Sequence, residues 1–158
     1  MPTQTESKNL ELKVRRTIDA PRQRVFEAWT DPKLFTQWFF SGTSSCGNSG
    51  LTAELDARAG GRYHISMTNP KGEHHSVRGE YKEVRPPERL VFTWIWEKKA
   101  GLVGEGLETL VTVDLIDRNG KTEVVLTHQR FVNEEAVQKH TDGWNGCLEG
   151  LEKFLAQK

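Results

Sequence analysis

The sequence predicts an α+β domain in which one curved antiparallel sheet wraps around a long C-terminal helix. Three observations predict it. From Leu51 to Phe131, alternating apolar runs are cut by turn signals at spacings that fit about six antiparallel strands. From Glu134 onward, apolar residues recur every three or four positions, as they do on an amphipathic helix long enough to cross a sheet. Between a first strand at Leu10 and that meander lie two short apolar helical segments, suited to closing one end.

The first element follows a polar stretch over residues 1–9, read as a disordered tail. Leu10, Leu12, Val14 and Ile18 then mark a strand that ends at Asp19-Ala20-Pro21. Pro21 suits the first turn of a helix, and Val25, Phe26 and Trp29 recur at helical spacing opposite Arg22, Arg24 and Glu27. Asp31-Pro32 starts a second, shorter helix, with Asp31 as N-cap and Leu34, Phe35, Trp38 and Phe39 as its apolar surface. The Ser/Gly-rich run from Ser41 to Gly50 has nothing to anchor in a core, so it reads as an exposed, mobile loop able to act as a flap.

Turn signals divide the meander at Gly60-Gly61, Asn69 to Gly72, Pro86-Pro87, Ala100 to Gly106 and Asn119-Gly120. Asn119-Gly120 is the firmest hairpin, because both residue types tolerate the positive φ of a type I′ turn. Period-two alternation assigns Tyr63, Ile65 and Met67 to the interior. The same rule assigns Val77, Gly79 and Tyr81, then Val111, Val113 and Leu115, then Val124, Leu126 and His128. The strand Arg89 to Glu97 carries Leu90, Phe92, Trp94 and Trp96 on one face. Each indole keeps an N–H that wants a partner, so two neighbouring tryptophans suit the wall of a ligand space better than dry packing.

The last element is a long helix, with Asn133 as its cap and Glu134 and Glu135 in the first turn, where negative charge suits the helix dipole. Val137, His140, Trp144, Cys147, Leu148, Leu151 and Leu155 form its apolar stripe. Gly143, Gly146 and Gly150 each cost about 1 kcal/mol relative to alanine, so either another backbone approaches there or the helix bends over an internal space. No repeat and no linker interrupts the 158 residues, and the reading is one domain over residues 10–158.

Composition excludes several functions. Lys plus Arg equals Asp plus Glu at 22 each, which leaves no net field to hold nucleic acid or an anionic membrane. Cys46 and Cys147 lack the paired spacing of a zinc or redox motif and read as free thiols in a reducing compartment. Glu73-His74-His75 faces alternate sides of an extended segment beside a glycine turn, so no metal site is assigned. Walker and dinucleotide fingerprints are missing, no nucleophile motif surrounds either cysteine, and no cofactor is expected. Gly101, Gly104 and Gly106 only make a hairpin loop. The polar N-terminus and the lack of a spanning apolar run predict a soluble, cytoplasmic protein.

Four segments carry a family resemblance: IDAPRQRVFEAWTDP at Ile18 to Pro32, GGRYHISM at Gly60 to Met67, GEYKEVRPPERLVFTW at Gly79 to Trp94, and GWNGCLEGLEKFL at Gly143 to Leu155. Through them the chain resembles proteins similar to the C-terminal domain of the activator of the heat-shock protein 90 ATPase, within the START-like, birch-pollen-allergen-like helix-grip superfamily (SRPBCC). The resemblance covers nearly all of Leu10 to Leu155 and implies a tunnel or cup between the sheet and the long helix. The sequence independently supplies an aromatic lining for it: Trp38, Phe39, Tyr63, Met67, Tyr81, Phe92, Trp94, Trp96, His128, His140 and Trp144. The superfamily uses such cavities for lipid carriage, cyclisation, hydrolysis, sequestration and co-chaperone contact.

Three functions are therefore expected. The first is a binding protein that holds a small apolar, amphipathic or aromatic ligand and needs no chemistry. The second is a cyclase- or hydrolase-type enzyme with His128 or His140 as acid/base and a tyrosine polarising a carbonyl. The third, implied by the resemblance, is a stress-response partner of a chaperone. For that role the eukaryotic activators resembled carry an additional chaperone-contacting N-terminal domain, where this chain shows nine polar residues. An antiparallel sheet with an exposed edge can also dimerise, which leaves a homodimer open.

Overall fold

A computed structural model describes residues 10–39, 49–68, 74–98, 108–131 and 134–156. The described chain runs as strand β1 (Leu10–Ile18), helices α1 (Arg22–Thr30) and α2 (Pro32–Trp38), and strands β2 (Ser49–Leu55), β3 (Arg62–Thr68), β4 (His74–Arg85), β5 (Arg89–Lys98), β6 (Thr109–Arg118) and β7 (Lys121–Phe131). Helix α3 (Glu134–Ala156) completes it. The seven strands form one antiparallel sheet in the order β1-β7-β6-β5-β4-β3-β2. Element order and type follow the expectation from sequence.

Local chemistry explains the joins. Asp31 accepts a hydrogen bond from the Lys33 N–H at 2.9 Å, and Pro32 opens α2 where no N–H is needed. Pro21 sits one position earlier than expected, at the cap of α1 rather than inside it. The Trp38 indole donates to the Ala28 carbonyl at 2.8 Å, which satisfies an acceptor near the end of α1 and clamps the two short helices together. Between β6 and β7, Asn119 and Gly120 have φ of 58° and 90°, the type I′ geometry. The turn at residues 86–88 contains a cis Pro86-Pro87 bond.

The expected flap corresponds largely to residues outside those described, but Ser49 and Gly50 belong to β2, so the sheet starts two residues earlier than the composition suggested. The turns expected at Asn69 to Gly72 and Ala100 to Gly106, and the Asn133 cap, also fall outside the described residues.

The interior faces are as the alternation assigned them: Tyr63 and Ile65, Val77 and Tyr81, Leu90, Phe92 and Trp94, Val111, Val113 and Leu115, and Val124, Leu126 and His128 are all buried. The opposite face of β5 is covered too, since Thr93 and Ile95 are buried. Helix α3 buries Trp144, Cys147, Leu148, Leu151 and Leu155 in the same core, and Arg16 of β1 reaches Glu152 of α3 at 2.6 Å.

Two backbone features shape the sheet. A side chain on Gly79 would strike the Thr93 carbonyl oxygen and the edge of the Tyr63 ring, which lies across the glycine and donates its hydroxyl to that same carbonyl. Only glycine permits this approach of β4 to β5. On β7, Arg130 has φ of 76° and the register with β1 slips between Leu10 and Glu11, so Arg130 is the extra residue of a bulge. The bulge turns Phe131 into the core, three positions after inward-facing His128.

The α3 glycines do not all answer to close packing. Gly146 and Gly150 are buried, but a Cβ on Gly143 would meet nothing within 4 Å, so at that position no neighbouring backbone demands a glycine.

Candidate functional site

Aromatic side chains from every layer converge between the sheet and α3. At the α1–α2 end, Trp29 meets Trp38 edge-on at 4.9 Å, and Phe35 stacks on Phe39 at 4.3 Å. Phe39 in turn approaches Trp94 at 6.3 Å and Trp144 at 6.0 Å. Trp94 and Trp144 lie 5.0 Å apart and form the centre of the wall. A second group, Tyr63, Tyr81 and Phe92, has centroid separations of 5.5 to 6.0 Å. These are the offset and edge-to-face distances at which aromatic pairs attract.

The rings enclose a cavity of about 20 Å³. Of the residues expected in the wall, Phe39, Tyr63, Tyr81, Phe92, Trp94 and Trp144 border it. Sequence reasoning left out Trp29, Phe35, Leu55, Ile65 and Leu90, which border it as well. Trp38 sits behind Trp29 and Phe35. The side chains of Met67 and Trp96 lie outside those described. Two larger grooves, of about 450 and 470 Å³, lie among charged groups such as the Arg89–Asp114 pair at 2.7 Å. They lack an aromatic wall and are lined mainly by charged and polar side chains.

The histidines occupy the far end, away from the cavity lining. His128 packs against Phe131 at 4.4 Å and His140 at 5.1 Å, and Phe131 meets His140 at 4.9 Å. Hydrogen-bond geometry fixes the His128 tautomer. The Trp144 indole can only donate, so His128 Nδ1, at 3.0 Å, accepts. The Thr109 hydroxyl donates its single proton to the Trp94 carbonyl at 2.9 Å. Its contact with His128 Nε2 at 2.7 Å therefore has the histidine as donor. A one-way chain results: Trp144 N–H to His128, His128 N–H to Thr109, Thr109 O–H to the β5 backbone. Each bond polarises the next in a dry interior.

Electrostatics agree with a neutral imidazole. Burial, then the neighbouring His140, hold His128 well below the ordinary histidine range. His140 is lowered by burial as well, against the opposing hydrogen bond that its Nδ1–H gives the Ala136 carbonyl at 2.8 Å. Burial and then Tyr81 raise the Tyr63 hydroxyl well above its usual value, and burial and then Asp56 raise Tyr81. Both tyrosines are thus protonated at neutral pH and can donate. Tyr63 spends its proton on Thr93. Among the described residues no cluster of three or more metal-ligating side chains occurs. No helix among them is long and apolar enough to cross a membrane.

The profile of the family described as "Activator of Hsp90 ATPase homolog 1-like protein" matches residues 19–156. Among solved structures, a protein of that type from Silicibacter pomeroyi has 25% identity and a TM-score of 0.74, covering 93% of this chain and 98% of its own. A protein from Chromobacterium violaceum has 22% identity and a TM-score of 0.73, covering 90% and 95%. DynU16, described as a putative protein in the dynemicin biosynthetic locus, has 22% identity and a TM-score of 0.73, covering 93% of this chain but 47% of its own. No functionally curated protein matches the chain.

Proposed function

Since the chain belongs to the Activator of Hsp90 ATPase homolog 1-like family, we propose that it binds one small apolar or aromatic molecule between its sheet and α3 and does no chemistry on it. The observation that carries this reading is the aromatic cavity bordered by Trp29, Phe39, Trp94 and Trp144. Apolar walls with few polar groups are what ligand sites of this kind need. Both nitrogens of His128 are committed within the core, which leaves neither a lone pair nor a proton for a substrate. The setting of DynU16 in a biosynthetic locus fits a role around small molecules.

Size sets a condition on binding. A cavity of about 20 Å³ has room for about one water, whereas a benzene-sized guest needs something near 150 Å³. Uptake therefore requires a ring to move, and Phe39, at the end of α2, stands between the helical pair and the two central tryptophans. Native mass spectrometry of freshly purified protein, followed by tryptophan quenching with small aromatics, tests the reading. A co-purifying mass, or saturable quenching that tightens in Phe39→Ala and is lost in Trp94→Ala, supports it. The absence of both across wild type and Phe39→Ala refutes it.

The family's description favours a second reading, a contact with Hsp90. Its test is the steady-state ATPase rate of that chaperone with and without this protein. A rate unchanged at micromolar concentration removes it.

A further inference from the structure

Three ring donors of the interior are bonded to core acceptors. Trp38 gives its indole N–H to Ala28, Trp144 gives its own to His128, and Tyr63 gives its hydroxyl to Thr93. Trp29 differs from these three. It is 3% exposed, borders the cavity, and its Nε1 makes no hydrogen bond among the described residues. The edge-on contact with Trp38 offers at most a weak N–H···π partner. A buried donor left unpaired costs about 1 to 3 kcal/mol, and an acceptor on a bound molecule would remove that cost.

We infer that Trp29 sets ligand specificity by donating its indole N–H to an acceptor oxygen on the bound molecule, so the site prefers an aromatic ketone, aldehyde or quinone to the corresponding hydrocarbon. The inference rests on the binding reading above and names the class of molecule for that site. Restoring an orphaned buried donor is worth about tenfold in affinity or more. A hydrocarbon gains the same apolar contact but leaves the N–H unpaired. Trp29 stands on α1, beside the Phe35 and Phe39 end of the cavity, so the carbonyl of a guest would face the short helices while its ring meets Trp94 and Trp144.

Acetophenone and ethylbenzene form a matched pair that differs by the carbonyl oxygen. Their affinities are measured by tryptophan quenching and each is referred to its own partition between water and hydrocarbon. The expected ketone preference on that scale is about tenfold, falling to near unity in Trp29→Phe. The carbonyl stretch of bound, isotope-labelled acetophenone should lie below its frequency in hydrocarbon for the wild type and return to it in Trp29→Phe. Equal corrected affinities with an unshifted carbonyl overturn the inference while leaving the binding reading intact. A shift that persists in Trp29→Phe assigns the donor elsewhere and also overturns it. No binding of either probe to wild type or Phe39→Ala overturns both. Should Trp29→Phe fail to fold, the Trp29 indole N–H resonance of the wild type decides instead: a shift with acetophenone but not with ethylbenzene supports the inference, and an unmoved resonance overturns it.

Discussion

The indole of Trp144 on α3 donates to Nδ1 of His128 on β7 at 3.0 Å, and this bond decides which nitrogen of the histidine carries the proton. From it follows the neutral state of a group buried at the far end of the aromatic core. Protonating His128 would require a second N–H to point at the indole N–H, so the native state resists acid at that position.

Stability should therefore fall as pH drops below the ordinary histidine pKa of about 6.5. In the unfolded chain His128 and His140 bind protons in that range, while in the native state burial makes both bind them less readily, His128 most. The unfolded state then holds more protons, and each histidine removes up to about 1.4 kcal/mol of stability per pH unit until its native pKa is reached. Above about 6.5 neither contributes. Urea midpoints between pH 8 and pH 5 measure this, and His140→Gln should make the fall shallower without abolishing it. A flat profile across that range would contradict neutral, buried imidazoles.

Gly79→Ala should destabilise by about 3 kcal/mol or more, because its methyl group meets the Thr93 carbonyl and the ring whose hydroxyl is bonded there. A thermal midpoint lowered by about 6 to 12 °C is the expected result for a chain of this length. A neutral substitution would mean that β4 and β5 are not held as closely as described.

Arg130→Gly should stabilise by about 0.5 to 1 kcal/mol, since an exposed arginine at φ of 76° occupies the left-handed region that glycine enters freely. Arg130→Val, a branched residue in the same conformation, should lower the midpoint instead. Calorimetry on the pair distinguishes backbone strain from a side-chain role, because only strain moves the two variants in opposite directions.

Gly143→Ala should add about 1 kcal/mol, raising the thermal midpoint by roughly 2 to 4 °C, because the methyl group enters open space on a long helix. Loss of stability here would show that α3 needs a flexible residue at that turn.

The fold was legible because its signals are local. Asp31-Pro32 starts a helix and Asn119-Gly120 closes a hairpin by residue chemistry alone, and the inward faces follow from a period of two. Thr109 was legible in position, two residues before Val111 on the same face, but its role appears only once His128 and the Trp94 carbonyl stand beside it. Phe131 was hidden by the bulge, which breaks the alternation that sequence reasoning relies on. Trp29 was read as core on an amphipathic helix, and nothing in its spacing distinguishes an indole whose N–H is satisfied from one whose N–H is not. The size of the cavity was beyond reach for a related reason: the same aromatics can enclose a space or fill it, and rotamers decide which.

The chain of bonds from Trp144 through His128 and Thr109 to Trp94 has a mechanical consequence. It fastens α3, β7, β6 and β5 by directional links that fail abruptly when stretched, and the Arg16–Glu152 pair adds a further tie between α3 and β1. On the opposite side Phe39, stacked on Phe35, meets the central tryptophans through ring contacts, which yield gradually and in many directions. The molecule thus has a stiff end and a compliant end. The Trp38–Ala28 bond ties α1 to α2, so a displacement at the compliant end would carry both helices together.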